Sequence, residues 1–97
     1  MYYSVQPLEE IKPEFDIDVL FDESRKHQII VHNDEVNTFD WVIESLMDVC
    51  EHTPEQAEQC TIIIHYKGKC DVLTGEYDYL KPKCTELLNR GISAEIV

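Results

Sequence analysis

The stretch that most restricts how this chain can fold runs from Thr53 to Gly68. Thr53-Pro54-Glu55-Gln56 offers a hydroxyl that can cap helical amides, a proline at the first helical position and a glutamine at the third, the components of a capping box. Ala57, Cys60, Thr61, Ile64 and His65 then recur at helical intervals, and Gly68 stands where a left-handed stop would end the helix. Ile62-Ile63-Ile64 alone would favour a strand, because β-branched side chains lose rotamer freedom in a helix. Caps at both ends and the longer periodicity outweigh that local preference, so the segment reads as a helix beginning at Pro54.

Around this helix the chain alternates between two periods. His27-Gln28-Ile29-Ile30-Val31-His32-Asn33 is rich in β-branched residues and runs into the polar Asn33-Asp34-Glu35 cluster, as a buried strand entering a loop would. Asn37 can cap a helix over about 38–51, with Asp40 at its third position and Trp41, Val42, Leu46, Val49 and Cys50 on one apolar face. After Gly68, the segment from Lys69 to Tyr77 reads as a strand with Cys70, Val72 and Thr74 on one face. A third helix is expected over Tyr79 to Asn89, packing through Leu80, Cys84, Leu87 and Leu88 and ending at Gly91, with Pro82 tolerable if it falls in the first turn. Ile92 to Val97 supplies a last strand. The order β-α-α-β-α-β predicts an α+β fold, a compact three-stranded antiparallel sheet covered on one face by three helices.

A chain of 97 residues holds one such domain and little more. Residues 1–26 carry Pro7, Pro13 and seven acidic side chains without sustained periodicity, so they read as an acidic, flexible amino-terminal extension, and 27–97 as the core domain. Within the extension, Phe15, Ile17, Val19 and Phe21 alternate imperfectly and could form a short edge strand or dock on a partner. Twenty acidic residues against eight basic ones give a formal charge of -12, which would repel nucleic acid or an anionic membrane. No run is long enough for a membrane span, and the start Met1 to Glu10 lacks the basic and apolar regions of a signal peptide, so a cytoplasmic location is expected.

Cys50, Cys60, Cys70 and Cys84 contain no Cys-x-x-Cys pair and read as free thiols serving as small hydrophobes, with no metal or cofactor expected. Asp34 and Glu35 are adjacent carboxylates, but neighbouring loop positions do not supply the opposed geometry of acid/base catalysis, and no nucleophile motif is present, so the chain does not read as an enzyme.

The densest polar cluster is His32, Asn33, Asp34, Glu35 and Asn37, at the junction of a buried strand and a capped helix. Asp34 can attract an ammonium, Asn33 offers both donor and acceptor, and His65 can hydrogen-bond from the next helix. Two accounts stand on the residues alone. In one, Asn33 and Asp34 turn the backbone, Asn37 caps a helix and His65 satisfies a carbonyl. In the other, the cluster recognises an amine beside an apolar pocket built from residues such as Ile30, Phe39, Val42 and Ile64.

With Asn33-Asp34, the helix opening Thr38-Phe39-Asp40-Trp41-Val42, the segment His65-Tyr66-Lys67-Gly68-Lys69 and Lys83 in this order, the sequence from His27 to Val97 resembles the ClpS family of adaptors for Clp-type ATP-dependent proteases. The resemblance implies a non-catalytic adaptor that binds protein substrates through a free α-amino group and a bulky hydrophobic first residue (Phe, Tyr, Trp or Leu) and delivers them to the ATPase. It further implies that Asn33, Asp34 and His65 hold the amino group, that Glu35 lies at the rim, that Phe39 gates the pocket, and that Ile30, Val42, Thr61 and Ile64 form its wall; Asn37, from the same polar cluster, is a further candidate for substrate binding. Asp78 and Lys83, with Tyr77 and Tyr79 as their neighbours, correspond to the surface that meets the amino-terminal domain of the Clp-family ATPase, and the acidic extension to a delivery segment. The chain departs from the family pattern at Val36-Asn37-Thr38, where an aromatic-Thr-Pro run is usual, at Phe39, where methionine is common, and at Pro82. An alternative is a regulatory domain that docks on the ATPase without recognising amino termini.

Overall fold

The computed structural model describes residues 26–97. Its elements are β1 (Lys26–His32), α1 (Phe39–Cys50), α2 (Pro54–Lys67), β2 (Lys69–Glu76), α3 (Tyr77–Asn89) and β3 (Ala94–Ile96). This is the expected order. The antiparallel sheet runs β2-β1-β3, with β1 in the centre. The expected extension 1–26 and the alternating segment 15–21 lie outside the described residues, except that Lys26 is the first residue of β1.

Ile29 and Val31 alternate onto the helix-facing side of β1 and are almost fully buried, while Ile30 pairs with Asp71 and Glu95 on the open side. Three helical stripes close over them: Val42, Leu46, Val49 and Cys50 from α1, Ala57, Thr61 and Ile64 from α2, and Leu80, Cys84 and Leu87 from α3. Cys50 and Cys84 are core residues, and Cys60 and Cys70 pack against the core half-buried. All four are free thiols, and burial pushes Cys50 up to about 11 and Cys70 up to about 12, so all are held in the neutral form that packs as a hydrophobe.

Strand β2 departs from simple alternation. The register jumps from Ile29↔Leu73 to Ile30↔Asp71, so Val72 is an extra residue in a bulge. The bulge returns Cys70, Val72 and Leu73 to the helix side and leaves Thr74, expected there, opposite Gln28 and exposed. The carbonyl of Val72 accepts a hydrogen bond from His52 Nε2 at 2.7 Å, which ties the α1–α2 connection to the bulge.

The helix ends hold one confirmation and two corrections. Thr53 and Gln56 form the expected capping box of α2, and Gly68 ends it with φ 96°. For α1 the cap is Thr38, whose hydroxyl accepts from the Trp41 amide, and not Asn37. Helix α3 starts two residues earlier than expected, directly from β2, with Glu76 at the cap position making no side-chain cap bond. Pro82 therefore sits in the second turn, where its missing N–H leaves the Asp78 carbonyl without an i+4 partner. Leu88 points outward, 52% exposed, and Leu80, Cys84 and Leu87 carry the packing. Among the described residues, no helix is long and apolar enough to cross a membrane.

Candidate functional site

Three loops meet at one end of the sheet because backbone hydrogen bonds draw them there. Asn33 N–H donates to Gly68 O at 2.9 Å, joining the β1 exit to the end of α2. His32 N–H donates to Ser93 O at 2.9 Å, joining the same exit to the entrance of β3. The cleft between these loops and the facing sides of α1 and α2 has a volume of about 420 Å³.

The floor of the cleft is nearly all aliphatic. Val31, Val42, Ile64 and Ile92 line it with Thr61, and each is at most 9% exposed. Thr61 spends its hydroxyl proton on Ala57 O at 2.7 Å, one turn back along α2. The mouth is polar: Asn33, Asp34, Glu35, Asn37, Thr38 and His32 stand around it. Phe39 from α1 and His65 from α2 meet edge-to-face at 5.3 Å between ring centroids, and His65 also meets Tyr66 at 4.9 Å. Phe39 is 43% exposed, a large apolar side chain held half in water at the rim.

Asp34 organises the loop. Its Oδ1 accepts from the Val36 and Asn37 backbone N–H groups, both at 3.0 Å. The Asn37 carboxamide nitrogen donates to Oδ1 at 3.1 Å and Oδ2 at 2.9 Å, and to Gly91 O at 2.9 Å. Ser93 Oγ donates more weakly to Oδ2 at 3.5 Å. Partial desolvation, the largest single influence, acts to raise the Asp34 carboxyl. The donors from Asn37, Val36 and Ser93 together outweigh it and hold the group below its ordinary value. The cleft therefore keeps a negative charge at neutral pH, with Oδ2 the less crowded oxygen. Among the described residues, the exposed Asn33 carboxamide makes no side-chain hydrogen bond.

Of the residues singled out for the pocket, Asn33, Asp34, Glu35, Asn37, Phe39, Val42, Thr61, Ile64 and His65 line this one cleft. Ile30 does not, because strand parity turns it to the open face of the sheet and presents Val31 instead. Ile92 and Thr38 also line the cleft, outside the expected set. Ile92 is a lone apolar residue after Gly91 that only the pairing of β3 carries to the cleft, and Thr38 takes the capping role that the sequence assigns to its neighbour Asn37.

A second groove runs between the end of α1 and the outer face of α3, about 570 Å³, lined by Asp48, Val49, Asp78, Tyr79, Pro82, Lys83, Glu86 and Arg90. Lys83 Nζ donates to Val49 O at 3.1 Å and lies 5.4 Å from the centroid of the Tyr79 ring, so its ammonium is partly engaged within the fold. Arg90 bridges Asp48 and Glu86 at 3.3 and 3.2 Å. Tyr77 is outside this groove and packs edge-to-face on His27 at 5.7 Å.

Comparison with known proteins agrees with this architecture. The family model described as "ATP-dependent Clp protease adaptor protein ClpS" matches residues 22–95. An ATP-dependent Clp protease adapter protein ClpS of Campylobacter jejuni is 36% identical over 80 residues, covering 76% of this chain and 83% of that one. Its counterpart in Nitratidesulfovibrio vulgaris is 34% identical over 56 residues, and there the match spans 56% of each chain. The solved structure of Agrobacterium tumefaciens ClpS2 bound to L-phenylalaninamide has the same fold, with a TM-score of 0.72 at 16% identity over 75% of this chain and 95% of that one. The chain belongs to the ClpS family of non-catalytic adaptor proteins for the ATP-dependent Clp protease.

Proposed function

We propose that the cleft binds the free amino terminus of a protein whose first residue is bulky and hydrophobic, and that the second groove docks the adaptor on the amino-terminal domain of a Clp-family ATPase. The observation that carries the first half is the pairing of an ionised, firmly held Asp34 with a buried aliphatic floor inside one cleft. An α-ammonium beside Asp34 gains charge-assisted hydrogen bonds, with the Asn33 carboxamide oxygen and a His65 ring nitrogen as further acceptors. The first side chain passes the Phe39–His65 rim and covers Val42 and Ile64. Burial of a leucine or phenylalanine is worth about 1.5–3 kcal/mol. The ligand of the Agrobacterium relative, L-phenylalaninamide, has the same two features, a free amine and an aromatic side chain. Asp78, Tyr79 and Lys83 share the second groove, which supports its reading as the ATPase-facing surface.

The test is fluorescence anisotropy with peptides that begin with free or acetylated leucine, on the wild-type chain and on Asp34→Ala and His65→Ala. Free termini should bind, acetylated ones poorly, and both variants weakly. Equal binding throughout would refute the reading. One observation favours the alternative of ATPase docking alone: Asp34 already accepts several internal hydrogen bonds. That alternative predicts docking on the ATPase domain with no binding of any free-terminus peptide.

A further inference from the structure

We propose that Thr61 makes the pocket select an amino-terminal tyrosine over phenylalanine, by accepting a hydrogen bond from the phenol at the buried end of the cleft. This rests on the amino-terminus reading above and specifies its preferred substrate. Among the five buried residues that line the cleft, Thr61 alone brings a side-chain heteroatom, the others being Val31, Val42, Ile64 and Ile92. Its hydroxyl proton is committed to Ala57 O at 2.7 Å, and no other group among the described residues bonds to that oxygen. The oxygen is left with acceptor capacity only.

Position along α2 supplies the direction. Thr61 and His65 are four residues apart, so they share a helix face and are separated by about one turn, roughly 6 Å along the axis. His65 is exposed at the mouth and Thr61 is 3% exposed beneath it. A first residue with its ammonium at Asp34 and His65 extends its ring down this face toward Thr61. Tyrosine ends in an O–H donor there. Phenylalanine or leucine fills the same space but strips water from the oxygen without replacing the bond, and a lost acceptor in a dry site weakens binding more than the net worth of an exposed hydrogen bond.

Anisotropy with three peptides that differ only in the first residue (tyrosine, phenylalanine and O-methyltyrosine) tests the proposal on the full chain. Tyrosine should bind about threefold to tenfold tighter than phenylalanine, and O-methyltyrosine, which keeps the ring and lacks the donor, should lose that advantage. Thr61→Val keeps the shape and removes the oxygen, so it should equalise tyrosine and phenylalanine. Thr61→Ser keeps the oxygen and should keep the preference, which controls for repacking of α2. A tyrosine-to-phenylalanine ratio that is the same in wild type and Thr61→Val, or no preference in wild type, overturns the role of Thr61 alone. Equal binding of acetylated peptides, or no binding of any, overturns the amino-terminus reading and this inference with it.

Discussion

The carboxamide nitrogen of Asn37 reaches both oxygens of Asp34, at 3.1 and 2.9 Å, and the carbonyl of Gly91 at 2.9 Å, so one side chain holds the cleft's anion and fastens its loop to the turn before β3. Asn37→Ala should lower stability by about 1 kcal/mol, the scale of a net hydrogen bond in a partly buried setting. It should also weaken peptide binding by loosening Asp34. Asn37→Asp should weaken binding further, because it sets a second carboxylate against the first. Urea unfolding and peptide anisotropy on the three proteins check this, and unchanged binding in both variants would show that Asn37 does not position Asp34.

The same donors set a pH dependence. The Asp34 carboxyl lies below its ordinary 3.8 in the folded state, so its contribution to stability is complete above the unfolded value and is lost as pH falls through the lower, folded value. Peptide binding should follow that charge and persist until the pH drops below the usual carboxylate range. Titrating the affinity from about pH 5 down to about pH 2 should give an acid limb lying below the ordinary carboxylate range that Asp34→Asn flattens. An identical limb in wild type and variant would remove Asp34 from the binding step.

Much of this was legible in the sequence, and what was not shares a cause. The box Thr53–Gln56 and the stop at Gly68 depend on residues within a turn of one another, so the chain spells them out locally. The choice between Asn37 and Thr38 as the cap of α1 is made by Asp34 and Gly91, which capture the asparagine side chain. Strand parity at Ile30 and Val31 depends on which face the helices cover, and a run of three apolar residues does not record it. Thr74 was misplaced because the bulge at Val72 shifts the alternation, and Ile92 was missed because only the antiparallel pairing of β3 with β1 brings it to the cleft. The polar loop was visible as a cluster, but its aliphatic floor was assembled by tertiary contacts.

The bulge itself makes a prediction. An extra residue in a strand loses its ladder partner, and here the Val72 carbonyl is satisfied by His52 Nε2 at 2.7 Å from the α1–α2 connection. His52→Ala leaves that carbonyl unpaired in a half-buried site and should cost about 1–3 kcal/mol. His52→Gln retains a donor and should recover part of the loss. Urea midpoints of the two variants decide it, and a midpoint for His52→Ala equal to that of wild type would mean that the bulge needs no support from this side chain.

Gly75 separates fold from docking. A β-carbon at this position would lie 2.9 Å from Cδ2 of Tyr79, so the absence of a side chain is what lets the tyrosine ring lie against the β2–α3 corner. The ring is 50% exposed and can swing outward, and glycine is itself a poor strand residue by about 0.5–1 kcal/mol relative to alanine. Gly75→Ala should therefore change stability by no more than about 1 kcal/mol, because the two effects oppose each other. The displaced ring would nevertheless reshape the groove that Tyr79 shares with Asp78 and Lys83, and would draw Tyr79 away from the Lys83 ammonium. If that groove is the ATPase-facing surface, the variant should bind free-terminus peptides like wild type and bind the ATPase amino-terminal domain more weakly, as read by calorimetry with each partner in turn. Undiminished binding to that domain, with the Tyr79 ring shown by NMR to have moved, would place the docking surface elsewhere on the molecule.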